Sequence, residues 1–254
     1  MIDYSKFLNN SIQEIKPSGI RKFFDIASEM DDVISLSIGE PDFQTPWHIR
    51  EEGINSLKNG KTWYSPNRGF AQLREEIANY YARRFNISYE GKTQVLVTVG
   101  GSEAIDLAFR CLVSEGDEVI IPEPSFVCYE PLTHMAGGKA VIINTKAEDQ
   151  FRLKADDLEK AITDKTKLVV LPFPNNPTGA IMEKADLEAI AEVIKKHDLF
   201  VLSDEIYSEL TYGGKNHISI ASVDGMYERT VVINGFSKSY AMTGWRLGYA
   251  LGPV

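Results

Sequence analysis

The chain has 254 residues, of which 43% are hydrophobic and 25% are charged, proportions typical of a globular protein. Its formal net charge of −9 argues against nucleic acid or an anionic membrane as the main partner. The N-terminus shows no charged-then-apolar leader, and no uninterrupted apolar run approaches the roughly 18 residues of a membrane span. These features predict a soluble, cytoplasmic protein.

Residue types that bind metals or form disulfides are sparse. Cys111 and Cys128 are the only cysteines, and no Cys-x-x-Cys pattern accompanies them. The histidines are scattered along the chain rather than clustered. The sequence therefore predicts reduced, buried thiols and no metal site.

Apolar residues alternate between helical and strand-like spacing along the chain. Helical spacing occurs at residues 18–30, 46–59, 71–85, 102–113, 155–161 and 184–197. Strand-like apolar runs occur at residues 95–99, 118–121, 140–143, 167–171, 199–202 and 230–233. Several runs are apolar nearly throughout, which is typical of strands covered on both faces. The alternation predicts an α/β fold, with a mostly parallel sheet and helices on both of its faces.

Polar or glycine-rich segments follow these strand-like runs. In parallel sheets, ligands bind beyond the carboxyl ends of the strands. The segments that follow are GGSEAI, PEPSFVCY, PFPNNPTG, SDEIY and NGFSK, in chain order. We therefore expect all of them to line one pocket.

The segment GGSEAI, residues 100–105, joins a predicted strand to a predicted helix. Its glycines let backbone N–H groups approach an anion, and a helix N-terminus favours negative charge. Ser102 is suited either to cap the helix or to donate to a phosphate. The segment lacks both the GK[ST] ending of a nucleoside-triphosphate loop and the GxGxxG spacing of a dinucleotide fold. A tight turn with a helix cap explains it equally well.

Two other segments place polar groups at the same end of the sheet. Asp204 directly follows an apolar run, with Tyr207 three residues further on. A carboxylate there is costly unless it meets a cation or a strong donor, although a helix-capping aspartate is the ordinary alternative. Asn176 would project an amide into the same space, but Asn-Pro and Thr-Gly are also ordinary turn sequences.

The segment FSKSYAMTGWRLGY, residues 236–249, contains Lys238 and Arg246. A lysine with its usual pKa of about 10.4 is a poor nucleophile at neutral pH, but it can form a Schiff base with an aldehyde. An arginine offers a planar fork that binds phosphate bidentately. A solvated surface position is the usual explanation of a single lysine, and it leaves the arginine and the flanking glycines unexplained.

One cofactor accounts for these groups together. An aldehyde would react with Lys238, and a phosphate would bind the glycine segment and Arg246. A ring nitrogen would face Asp204, and a ring hydroxyl would face Asn176 and Tyr207. This combination is pyridoxal 5′-phosphate, whose chemistry requires a lysine Schiff base and an acidic partner for the pyridinium nitrogen.

The segments NNPTGAI, SDEIY and FSKSYAMTGWRLGY, in this order, resemble the class I/II aminotransferases of pyridoxal-phosphate fold type I. The likeness is greatest to the bacterial and archaeal aspartate/aromatic aminotransferase branch, and it runs from about residue 18 to the last residue. It implies an enzyme of amino acid metabolism that moves an amino group from an L-amino acid to a 2-oxo acid.

The resemblance also implies roles for residues around the cofactor ring. Lys238 would bind the cofactor covalently and move a proton between the substrate α-carbon and the cofactor. Asp204 would keep the ring nitrogen protonated. Tyr207 and Asn176 would hydrogen-bond the ring hydroxyl oxygen, and Asn176 would also contact the substrate. Phe126 would stack on the ring.

Further residues are implied at the phosphate. Gly101, Ser102 and Glu103 would contact it mainly through backbone N–H groups, joined by Ser237 and Arg246. Some relatives carry a further serine three residues before the lysine, where this chain has glycine, so the contact from this segment would fall to Ser237 alone.

Two matches concern the substrate and a second subunit. Gly39, in SIGEPDF, matches a glycine whose backbone contacts the substrate carboxylate. Tyr64 matches a tyrosine that reaches the phosphate of the neighbouring subunit. The resemblance therefore implies a homodimer in which each subunit completes the other's site.

The resemblance predicts an N-terminal arm with part of a small domain at residues 1–45 and an incomplete cofactor-binding large domain at residues 46–254. Family members continue into a C-terminal small domain, which holds the arginine that binds the substrate α-carboxylate. Because this chain stops before that domain, we expect it to bind the cofactor yet transaminate poorly.

Two alternatives keep the same cofactor. A carbon–sulfur β-lyase of this fold would use the same lysine, aspartate and arginine, and it would release pyruvate and ammonia without an added oxo acid. A catalytically inert fragment that binds pyridoxal phosphate is the other alternative. The sequence does not identify the amino donor.

Overall fold

The computed structural model describes residues 2–15, 19, 26, 29–30, 32, 34 and 39–254. The α-helices in these residues are α1 (Asn10–Glu14), α2 (Trp47–Lys58), α3 (Ala71–Phe85), α4 (Gly101–Leu112), α5 (Tyr129–Met135), α6 (Ala155–Ala161) and α7 (Lys184–Lys196). Short 3-10 turns occur at Tyr4–Lys6, Ala147–Asp149, Ile220–Ser222, Tyr227–Arg229 and Thr243–Trp245. Within the described ranges, no helix combines the length and the hydropathy that crossing a membrane requires.

The strands form one seven-stranded sheet with the order β1-β7-β6-β5-β4-β2-β3. They are β1 (Val95–Thr98), β2 (Glu118–Glu123), β3 (Lys139–Asn144), β4 (Thr166–Leu171), β5 (Phe200–Asp204), β6 (Thr230–Gly235) and β7 (Gly248–Leu251). The β2–β3, β2–β4, β4–β5 and β5–β6 pairs are parallel, whereas β7 is antiparallel to both of its neighbours. The predicted mostly parallel sheet is confirmed.

The predicted elements lie within a few residues of the observed ones, with three exceptions among the helices, of which the short α1 is one because no helix was predicted there. The helix predicted over residues 18–30 lies outside the described residues, apart from positions 19, 26, 29 and 30. Helix α5 was not expected, because Pro131 lies inside it. Proline is tolerated in the first turn of a helix, where the missing N–H has no partner within the helix, and Pro131 lies in that turn.

Helices cover the sheet on both sides, as the continuous apolar strands predict. On one side α6 and α7 pack on β4 and β5, with Leu158, Ile190 and Ile194 fully buried. On the other side α4 and α5 pack on β2 and β4 around Phe109. Helix α3 packs beside β1 and β7 through Tyr81. The sheet is therefore a buried central layer.

The direction of β7 decides where its first residues lie. The five parallel strands and β1 all end at one edge of the sheet, whereas the antiparallel β7 begins there. Gly248, the first residue of β7, is in register with Thr98 at the end of β1 and with Gly235 at the end of β6. The segment that carries Lys238 and Arg246 consequently leaves this edge and returns to it.

Candidate active site

A cavity of about 330 Å³ lies at the carboxyl edge of the sheet. The loops that follow β1, β2, β4, β5 and β6 all contribute to it, as the sequence predicts. Its lining includes Gly39, Gly101, Ser102, Phe126, Asn176, Asp204, Tyr207, Ser237, Lys238 and Arg246. Most of the residues selected from the sequence therefore meet in one place.

Lys238 lies in the loop after β6 and is half-buried in the cavity wall. Its Nζ donates a hydrogen bond to the carbonyl oxygen of Gly39 and lies 5.6 Å from the centre of the Tyr207 ring. Burial lowers the pKa of the Lys238 amine below its usual value; Glu40 opposes this shift and the Arg246 guanidinium adds to it. The lowered pKa increases the fraction of this amine that is neutral and nucleophilic at a given pH.

Asp204 is the last residue of β5, and only 6% of it is exposed. Its Oδ2 accepts a hydrogen bond from the hydroxyl of Tyr129 at 2.7 Å, and its Oδ1 accepts one from the backbone N–H of Ile206 at 3.1 Å. Burial raises the pKa of Asp204; these two hydrogen bonds oppose the shift and the nearby Glu205 adds to it. A cationic N–H placed in the cavity would satisfy this carboxylate.

Asn175 and Asn176 have different tasks in the turn after β4. The Asn175 side chain is buried and accepts hydrogen bonds from the backbone N–H and the hydroxyl of Thr178, at 3.2 and 2.8 Å. It thereby fixes the turn, and Asn176 lines the cavity.

Tyr207 lies across the cavity from Asn176. Burial, and then the charge of Asp204, raise the pKa of Tyr207, so its hydroxyl remains a donor at neutral pH.

The opposite end of the cavity is suited to an anion. Helix α4 begins there at Gly101, and the first N–H groups of a helix have no partner within it. Ser102, Ser237 and the Arg246 side chain line the same end. The guanidinium is oriented by a 2.9 Å hydrogen bond from Nη1 to the carbonyl oxygen of Thr243. N–H groups, hydroxyls and one cation together match a phosphate.

Glycine is required where these parts meet. Gly100 has φ of +80°, and a Cβ at this position would overlap the Arg246 guanidinium. A Cβ at Gly248 would overlap the backbone of Gly100 and Gly101. Both glycines let β7 and Arg246 pack directly against the start of α4. The anion-binding end is therefore a cradle formed by Gly100, Gly248, the start of α4 and Arg246, and side chains at the two glycine positions would fill it.

The remaining predicted site residues take varied positions. Phe126 lines the cavity and meets Tyr129 edge to face, with ring centres 6.1 Å apart. The Glu103 side chain turns back and accepts a hydrogen bond from the backbone N–H of Val99 at 2.5 Å, so only its backbone is available to a phosphate. Tyr64 lies outside the cavity and is fully exposed. The part assigned to Tyr64 in a second subunit stays a prediction.

Three contributors were not selected from the sequence. Tyr129 supplies the buried hydroxyl that holds Asp204, and its place three residues after Phe126 in the loop after β2 was a signal for it. Thr243 and Glu40 also line the cavity, and the Thr243 hydroxyl donates to Glu40 Oε1 at 2.6 Å. This contact ties the segment after Gly39 to the loop that carries Arg246.

The sequence matches the family model of class I and II aminotransferases over residues 31–254. The chain belongs to this aminotransferase family. It is 47% identical to aromatic-amino-acid aminotransferase 2 of Thermococcus litoralis and, equally, to the aspartate aminotransferase of Pyrococcus abyssi; each match covers 97% of this chain and 63% of the relative. The structure matches the aspartate aminotransferase of Thermus thermophilus with maleate, with a TM-score of 0.91 and 40% identity over 97% of this chain and 64% of that one.

The resemblance given by the sequence motifs is thus confirmed, as is the fold. Aminotransferases of this family depend on pyridoxal 5′-phosphate, the cofactor that the sequence predicts. The chain spans about 63% of the length of the relatives it matches.

The residues of this structure fit that cofactor at each of its functional groups. The buried Asp204 carboxylate faces the cavity without an ion-pair partner among the described residues, as a pyridinium nitrogen requires. The cradle at Gly100 and Arg246 suits the phosphate. Lys238, with its lowered pKa, suits the aldehyde. These groups lie at the ends of different strands or in the loops beside them, and they meet only in the folded chain.

Proposed function

We propose that the protein acts as a pyridoxal-phosphate-dependent aminotransferase, moving an amino group from an L-amino acid to a 2-oxo acid. The observation that carries the proposal is the cavity in which a half-buried lysine amine, a buried carboxylate and an anion cradle face one another. When bound, the cofactor supplies an aldehyde that condenses with amines and a ring that withdraws electrons from the substrate α-carbon. The names of the relatives, aspartate and aromatic aminotransferases, support the same activity.

The residues of the chain have separable roles in this activity. Lys238 presents an amine at Nζ whose lowered pKa increases its neutral, nucleophilic fraction and makes it readier to release a proton that it has accepted. Asp204 would stabilise positive charge at the ring nitrogen. Asn176 and Tyr207 would hydrogen-bond the ring hydroxyl oxygen, and Phe126 would pack against the ring. The start of α4 and Arg246 would bind the phosphate.

Absorbance spectroscopy of the purified protein with the cofactor and a panel of amino acids tests the proposal. We expect a band of the lysine-bound cofactor, a shift of that band by the correct donor, and slow conversion of an added 2-oxo acid into an amino acid. Lys238→Ala is expected to remove both the band and borohydride-stable labelling of the chain. Release of pyruvate and ammonia without an oxo acid would show the β-lyase instead.

We further propose a homodimer in the cytoplasm in which Tyr64 reaches the phosphate of the partner's site. Tyr64 is fully exposed, and its neighbour Trp63 is 68% exposed, so this segment presents aromatic surface suited to a partner. The division into an arm at residues 1–45 and a large domain at residues 46–254 belongs to the same proposal. Sedimentation gives the oligomeric state. At protein concentrations at which the dimer forms, Tyr64→Phe is expected to weaken binding of pyridoxal phosphate and to leave binding of pyridoxal unchanged. At concentrations at which the protein is monomeric, the substitution is expected to affect neither ligand.

A further inference from the structure

A second buried carboxylate lies directly behind the one that faces the cavity. Asp204 and Glu205 are adjacent at the end of β5, and adjacent strand residues point to opposite faces of a sheet. Asp204 therefore meets Tyr129 in the cavity, whereas Glu205 points away from the cavity and is completely buried. The proposed activity gives Glu205 no task.

Hydrogen-bond donors surround the Glu205 carboxylate. Its Oε1 accepts from the hydroxyl of Ser203 at 2.9 Å and from that of Ser219 at 2.6 Å. Its Oε2 lies 3.1 Å from Nε2 of His217, whose side chain is 8% exposed. Among the described residues, no lysine or arginine lies within ion-pair distance of this carboxylate. Two serine hydroxyls thus hold one oxygen of the carboxylate, whereas Oε2 and the nearby Nε2 of His217 have no hydrogen-bond partner among the described residues.

The same contacts hold the loop that carries Tyr207. This loop leaves the sheet after Glu205 and returns with His217 and Ser219, so the Glu205 carboxylate joins its two ends. The backbone N–H of Glu205 also donates to the carbonyl oxygen of Ile233 at 2.8 Å, which fixes the start of the loop on β6. Glu205 therefore links the two ends of the loop that carries Tyr207 and attaches its start to β6.

The charge of Glu205 reaches its neighbours on more than one element. It adds to the rise in the pKa of Asp204 that burial causes. It is the largest contributor after burial to the rise in the pKa of Tyr89, and it adds to that of Tyr81 on α3. The negative charge of Glu205 therefore acts both on Asp204 and on the tyrosines packed near α3.

We propose that Glu205, held by the hydroxyls of Ser203 and Ser219, is a positioning residue that backs Asp204 with a second buried negative charge, so that the cavity favours a cationic ring atom next to Asp204. This inference rests on the proposed cofactor chemistry and assigns Glu205 a part in it. It acts through Asp204, because its own carboxylate does not line the cavity.

The test compares binding of pyridoxal 5′-phosphate with binding of its 1-deaza analogue, in which carbon replaces the ring nitrogen. Protein fluorescence gives the two dissociation constants, and their ratio measures the preference for a ring that can carry a proton. A unit charge about 10 Å away at an effective dielectric constant near 20 changes an equilibrium constant about tenfold. Glu205→Gln, which keeps the shape, is therefore expected to reduce the preference for pyridoxal phosphate about tenfold.

Two variants separate this effect from general loosening of the loop. Glu209→Gln removes a carboxylate of the same loop that pairs with Arg84 at 2.9 Å, and it is expected to leave the ratio unchanged. Ser219→Ala removes one donor but keeps the Glu205 charge, and it is expected to change the ratio less than Glu205→Gln does. Equal weakening of both ligands by Glu205→Gln, or an unchanged ratio, overturns the inference. Absence of pyridoxal phosphate binding by the unmodified protein refutes the proposed function instead.

Discussion

Replacing Tyr129 by phenylalanine tests how Asp204 is held. The substitution deletes one hydroxyl and keeps the ring that packs against Phe126. It removes the hydroxyl that donates to Oδ2 at 2.7 Å. Of the two hydrogen bonds to Asp204, only the one from the backbone N–H of Ile206 then remains. Both Tyr129 and Asp204 are buried, so water does not readily replace the lost donor.

The expected loss depends on the charge of Asp204. A hydrogen bond to an ionised group contributes about 1.5–3 kcal/mol to the free energy of unfolding, and one to a neutral group about 0.5–1.5 kcal/mol. We therefore expect Tyr129→Phe to reduce the free energy of unfolding by about 2 kcal/mol when Asp204 is ionised and by about 1 kcal/mol when it is protonated. For a chain of this size the larger loss lowers Tm by about 4–8 °C.

The sign of the pH dependence follows from the direction of the pKa shifts. Burial raises the pKa of Asp204 in the folded protein, so stability is lost as the pH rises through that folded pKa. The Tyr129 hydrogen bond opposes the shift, and its removal raises the pKa of Asp204 further. The difference in Tm between the variant and the unmodified protein should therefore grow as the pH rises.

Thermal unfolding of the cofactor-free protein at a series of pH values measures this difference. Tyr89→Phe is the matched control: Tyr89 is equally a buried tyrosine, but its hydroxyl has no hydrogen-bond partner among the described residues. We expect that control to leave stability unchanged or slightly raised at every pH. An equal loss of Tm by Tyr129→Phe across the whole pH range would refute the reasoning.

Three further predictions concern single contacts of the site. Borohydride reduction after mixing with pyridoxal phosphate should label Lys238 in preference to the other lysines, because its pKa is lowered; peptide mapping shows the labelled residue, and spread labelling would contradict the assignment. Arg246→Ala should weaken binding of pyridoxal phosphate about 30-fold, as loss of a charge-assisted contact implies, and leave binding of pyridoxal nearly unchanged. Asn175→Ala should lower the free energy of unfolding by about 1–2 kcal/mol, whereas Asn176→Ala should reduce cofactor affinity at unchanged Tm; the reverse pattern would exchange their assigned tasks.

The sequence predicted the edge of the sheet at which the site lies, because each apolar run is followed by a polar or glycine-rich loop. It also predicted Lys238, Asp204 and Arg246, since each residue type is unusual after a buried strand. The structure places these three residues around one cavity. The spacing of apolar residues sufficed because these strands are covered on both faces.

The sequence did not predict which way side chains point where a strand ends or a turn begins. Asp204 and Glu205 are chemically alike neighbours, and only the position at which β5 ends decides which of them faces the cavity. The same holds for Asn175 and Asn176, of which one fixes a turn and the other lines the site. Tyr129 was missed because its helix contains a proline in the first turn, which disguised the helical spacing.

The antiparallel β7 has a consequence for how the molecule is made. Among the described strands, β1 pairs with β7 alone, so the strand that leads into the phosphate cradle joins the sheet only through residues 248–251. A ribosome that has released residue 101 must still synthesise residues 102–248 before that strand acquires its neighbour. Cofactor capture by a nascent chain would therefore mark the moment at which β1 and β7 pair, a contact between residues far apart in the sequence.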